Sequence, residues 1–159
     1  MDRRGFIRAA GLCLVAFCPG LPALADSIHT PIGTIRSSSG DRLEFTRSGK
    51  NVIISMLPGS YQGSVATTAV YNRQEVRNLS RLIQKAWSKK GSLTPGQTAH
   101  FDGISDGVNS SIKVMNRTED NGTAQTVLIV TQGQLNRYFF LAEENYQELL
   151  TLLDQAANH

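Results

Sequence analysis

The residues most suggestive of chemistry lie in the middle of the chain. Gly103-Ile104-Ser105-Asp106-Gly107 matches G-x-S-x-G, and His100 and Asp102 sit just before it. Serine, histidine and aspartate together could perform nucleophilic acyl transfer, but only where a strand runs into the serine and a helix runs out. Here Val108–Met115 reads as loop and strand, so the motif lacks its context. Carboxylates offer acid–base chemistry at Glu44, Glu75, Asp102 and Asp106, with nothing in the sequence to separate them from surface charges. Metal binding finds less support. His29, His100 and His159 are not at ligand spacing, and Asp102, Asp106 and Asn109 lack the alternating oxygens and closing glutamate of a calcium loop. No phosphate-binding glycine loop is present. The sequence therefore designates no catalytic residue, no metal ligand and no cofactor.

Binding chemistry is better represented. Arg73, Arg77, Arg81, Lys85 and Lys89 recur every four residues, which places them in one stripe on a helix. Tyr61, between Ser60 and Gln62 in the glycine-flanked Pro58–Gly63 segment, is a rigid aromatic on a loop, the residue type that fills a partner's pocket. Ser60, Tyr61, Gln62, Arg73, Arg77, Arg81 and Lys85 are thus the candidate partner-binding residues.

The first 25 residues read as an export signal. Arg3-Arg4-Gly5-Phe6-Ile7 resembles the twin-arginine export signal of bacteria, an uncharged stretch follows from Ala9, and Ala23-Leu24-Ala25 is a small-x-small cleavage site. Cleavage before Asp26 would deliver residues 26–159 to the periplasm with no membrane insertion. Cys13 and Cys18 would leave with the signal. The 159-residue chain carries +3, whereas residues 26–159 carry +1, so the apparent basicity does not imply nucleic acid. The charge is polarised instead: residues 26–91 carry +6 and residues 92–159 carry −5. A composition of 40% hydrophobic and 18% charged residues suits one globular domain.

Hydrophobic periodicity supplies the elements. Alternation predicts strands over 42–47, Asn51–Leu57 and Val65–Tyr71, followed by a helix from Arg73 to Lys90 capped by Asn72. The order recurs as strands over Ser110–Arg117, Thr126–Thr131 and Arg137–Ala142, then a helix over Glu143–Ala157. Residues 26–40 read as a polar lead and 92–107 as an aperiodic stretch. The chain is thus an α+β protein of two βββα halves, 41–91 and 108–157, with antiparallel sheets and two packed helices sharing one core. An offset of 70 matches the helices, and an offset of 75 sets Val52 on Val127, which assigns about five extra residues to the first half's 58–63 loop.

Two βββα units with a basic surface are similar in element order to the single-stranded-DNA-binding proteins of the Whirly kind, with no shared motif. Element order does not carry function. Phe45, Tyr71, Phe139 and Phe140 fall at positions suited to a core rather than to base stacking.

The reading that follows is a small exported binding protein with a protein partner in the envelope, such as an inhibitor or immunity protein of an envelope-acting enzyme. An envelope enzyme using carboxylates or Ser105 is one alternative, and a single-stranded nucleic-acid-binding βββα protein is another. Pairing of the basic and acidic helices, within one chain or in a homodimer, is the remaining expectation.

Overall fold

A computed structural model describes residues 29–59 and 66–158. The export signal and the candidates Ser60, Tyr61 and Gln62 lie outside the described residues.

The chain forms β1 (His29–Arg36), β2 (Arg42–Ser48), β3 (Asn51–Leu57), β4 (Thr67–Asn72) and α1 (Arg73–Ser88). It then repeats the order with β5 (Thr98–Ser105), β6 (Ser110–Thr118), β7 (Ala124–Gln132), β8 (Leu135–Leu141) and α2 (Glu143–Asn158). The strands make two four-stranded antiparallel sheets, each in sequential order. The α+β class and the two sheet–helix units follow the sequence reading.

The strand number does not. Each half has one more strand than its periodicity suggested, because β1 and β5 are edge strands with a single deeply buried side chain apiece, Ile35 and Ile104. Each also carries a β-bulge, between Pro31 and Gly33 and between His100 and Gly103, which breaks the alternation that marks a strand. Gly103 is required at its bulge. A Cβ there would run into the Ile112 carbonyl and the Lys113 backbone.

The cross-strand pairs establish how the halves correspond. Leu43 opposes Met56 as Ile112 opposes Val130; Phe45 opposes Ile54 as Val114 opposes Leu128; Val52 opposes Tyr71 as Thr126 opposes Leu141. Val52 therefore corresponds to Thr126, an offset of 74 rather than 75. Val127 faces away from the shared core, and a slip of one residue exchanges the two faces of a strand. The length difference is also shared out. Ten residues separate Met56 from Thr67 against six between Val130 and Arg137, whereas seven separate Arg117 from Gln125 against two between Ser48 and Asn51. The first half has the longer β3–β4 loop and the second half the longer β6–β7 hairpin.

The helices begin and pack as their sequences dictate. Asn72 and Glu75 form a reciprocal capping box, with the Glu75 N–H donating to Asn72 Oδ1 at 2.9 Å and the Asn72 N–H to Glu75 Oε2 at 2.7 Å. Val76, Leu79, Ile83 and Ala86 form the buried face of α1; Leu149, Leu152, Leu153, Ala156 and Ala157 form that of α2. Each helix packs chiefly on the sheet of the other half, α1 on β5 and β6 and α2 on β1 and β2. Corresponding polar side chains secure this exchange. Asn116 Nδ2 donates to the Ala86 carbonyl at 2.6 Å, and Arg47 Nη2 donates to the Gln155 carbonyl at 3.2 Å. One hydrophobic cluster joins both sheets and both helices.

Candidate functional site

The G-x-S-x-G segment ends β5 and enters a hairpin, not a helix. Ser105 Oγ donates to the Ser110 carbonyl and accepts from the Gly107 N–H, both at 3.2 Å. Asp106 Oδ1 accepts from the N–H groups of Val108, Asn109 and Ser110 at 2.9–3.0 Å. Those bonds, that from Ser110 foremost, pull the Asp106 carboxyl down to about 2. His100 pairs with Met115 and Ser105 with Ser111, roughly 15 Å apart along the strand. Ser105 and Asp106 thus bond within the β5–β6 hairpin, and His100 lies apart from them along β5. Of the other carboxylates, Glu75 is spent in the capping box and Glu44 lies 3.7 Å from Arg42. Among the described residues no group of three or more His, Cys, Asp or Glu side chains could hold a metal ion.

The ends of the 58–66 connection are anchored. Gly59 lies against the Gly40 backbone and donates its N–H to Asp41 Oδ1 at 2.9 Å. At the other end Thr67 Oγ1 accepts from Arg137 Nε at 3.0 Å, and the Thr68 N–H donates to Gln132 Oε1 at 3.1 Å.

The basic stripe is largely outward-facing. Arg73 is half-buried in the first turn of α1, while Arg77, Arg81 and Lys85 are exposed. Arg77 Nη2 donates to the Ala157 carbonyl at 2.9 Å and to Asn158 Oδ1 at 3.3 Å, placing a cation at the negative end of α2. The side chains of Arg81 and Lys85 enter no hydrogen bond or ion pair among the described residues. Of the expected pairing of basic and acidic helices within the chain, the structure shows the ion pair of Lys90 and Glu143 at 2.7 Å, beyond the C-terminus of α1.

The two helices run antiparallel, and their ends are dissimilar. At one end Trp87 stacks on Tyr146, with centroids 4.2 Å apart and planes 4° from parallel, and Lys90 Nζ lies 3.8 Å from the Trp87 ring centroid. At the other end the offset of 70 places Ala157 where Trp87 would be and Val76 where Tyr146 would be. A groove of about 170 Å³ remains there, lined by Arg77, Ser80, Arg81, Leu153, Asp154 and Ala157. Sequence reasoning found the two arginines but not the groove. The signal that would have disclosed it is the small side chain facing the tryptophan position in the helix alignment.

The outer face of the second sheet also departs from expectation. Phe140 is not in the core. It lies half-buried on the outer face, opposite Val127, with the Arg117 guanidinium 4.8 Å from its ring centroid. Tyr138, 46% exposed, shares that face with Lys113 through Ile129.

No protein-family model and no curated protein matches the chain.

Proposed function

We propose that the protein is an exported, non-enzymatic binding protein that engages an acidic protein partner in the bacterial envelope through the basic face of α1. An inhibitor or immunity protein of an envelope-acting enzyme is the class that fits. The observation that carries this reading is the uncommitted state of Arg81 and Lys85 beside Arg77 on one exposed helix face. Like charges four residues apart oppose helix formation by a few tenths of a kcal/mol per pair, roughly, so the stripe is not there for stability. It gives the surface a positive field that draws an acidic partner and orients it. The Ser60-Tyr61-Gln62 segment is proposed as a second contact, on a connection whose two ends are fixed.

The test is partner capture from an envelope extract by residues 26–159. The protein so retained should be acidic, should elute with rising salt, and should be lost with Arg77→Glu/Arg81→Glu while the circular dichroism spectrum is unchanged. Retention indifferent to that double reversal rejects the reading.

A second reading rests on a different surface. Tyr138 and Phe140 with Lys113 and Arg117 combine aromatic and cationic groups on one sheet face, the combination that holds single-stranded nucleic acid. Salt-sensitive retention of single-stranded DNA, lost with Tyr138→Ala, would favour it over the protein partner.

A further inference from the structure

We propose that the groove at the Ala157 end of the helix pair receives an aromatic side chain of the partner, carried next to a carboxylate that pairs with Arg81. The inference rests on the reading of α1 as the partner-binding face and names what that face takes.

The fold itself supplies the template. Positions related by the offset of 70 correspond in the two helices, and at one end of the pair the Trp87 indole of α1 stacks on the Tyr146 ring of α2. At the other end the groove overlies Leu153 and Ala157, which are 0% and 2% exposed, and among the described residues no ring is stacked at the Ala157 position. A cavity of about 150 Å³ accommodates a benzene ring, so about 170 Å³ is enough for an aromatic side chain. Ser80, on the rim, gives a hydroxyl to a phenol or indole N–H.

Charge selects what accompanies the ring. Arg77 is bound to the Ala157 carbonyl and Asn158, and Asp154 Oδ1 accepts from Asn158 Nδ2 at 2.5 Å. Among the described residues the Arg81 guanidinium, on the rim, has no hydrogen bond or ion pair. A carboxylate one or two residues from the partner's aromatic meets that guanidinium, whereas a second cation would meet Arg77 and Arg81 together.

The experiment measures binding of residues 26–159, which contain every described element, to three synthetic peptides. One is a glutamate-rich pentapeptide with a central tryptophan; the second replaces that tryptophan by alanine; the third keeps it and replaces the glutamates by glutamine. Saturable binding is expected for the first, weakened about 30-fold or more in the second, as for an anchoring aromatic removed from a hot spot. The glutamine peptide should also bind more weakly. Arg81→Glu should abolish binding of the first, and Ala157→Trp, which closes the groove as Trp87 closes its counterpart, should do the same. Should Ala157→Trp fail to fold, Ala157→Leu and Arg81→Glu decide instead. Equal binding of the tryptophan and alanine peptides, both lost with Arg81→Glu, overturns the groove and leaves the acidic-partner reading standing. No saturable binding at millimolar peptide overturns the groove proposal. The acidic-partner reading fails with it only if partner capture is also indifferent to Arg77→Glu/Arg81→Glu.

Discussion

Asn116 and Arg47 hold corresponding places in the two sheets, and each donates to a carbonyl near the C-terminus of the helix that belongs to the other half. The molecule is therefore two interlocked units rather than two adjacent ones, and the helix pair with its basic face exists only when both halves are folded. Asn116 is fully buried and also accepts from Thr126 Oγ1 at 2.8 Å. Asn116→Ala leaves the buried Thr126 hydroxyl without its acceptor and the Ala86 carbonyl with only the Lys89 N–H. A loss of about 1–3 kcal/mol is expected in urea unfolding, in a single transition because the halves share one core. Two separate transitions would contradict the interlocked architecture.

Tyr71 makes the opposite case. Its ring is buried and its hydroxyl has no hydrogen-bond partner among the described residues. Burial raises the phenol well above its ordinary range, and the charges of Asp106 and Glu75 add to the effect. Tyr71→Phe removes an unsatisfied polar atom and should leave stability unchanged or raise it by up to about 1 kcal/mol. A clear loss of stability in denaturant titration would show that the hydroxyl is in fact bonded.

Much of this architecture was legible in the residues, and each miss has a physical cause. The helices were readable because Val76, Leu79 and Ile83, and Leu149 and Leu153, keep the helical period, and Asn72 announces the cap. β1 and β5 were not, because an edge strand covered by a helix on one side needs few apolar residues, and a bulge erases their spacing. Val127 misled the alignment because it is fully buried on the outer face, under Phe140 and Met115 on neighbouring strands. A valine reads the same on either face. The basic stripe was visible from spacing alone; the groove beside it depends on which faces of two distant helices meet.

Acid sensitivity should reside partly in the β5–β6 hairpin. The folded-state pKa of Asp106, about 2, lies below the unfolded value near 3.9, so its stabilising contribution is complete above about pH 4 and is lost as pH falls toward 2. Asp106→Asn, which cannot titrate, should flatten that part of the stability profile between about pH 4 and 2 in thermal melts. An unaltered profile would show that the three backbone bonds do not hold the hairpin in solution.

The proposed destination can be tested apart from the partner. Replacement of Arg3 and Arg4 by lysine should leave the precursor uncleaved inside the cell, while the native chain appears in the periplasmic fraction beginning at Asp26. Normal export of the lysine variant would reject the twin-arginine route, and an uncleaved periplasmic chain would reject the processing site.

The central claim is that the α1 face with its groove is the binding surface, and backbone amide mapping by NMR tests it most directly. Isotope-labelled residues 26–159 are titrated with the glutamate-rich tryptophan peptide. The largest shift changes should fall on Ser80, Arg81, Leu153 and Ala157, and should vanish in Arg81→Glu. Changes centred on Lys113, Tyr138 and Phe140 instead, or spread evenly over the molecule, would contradict it.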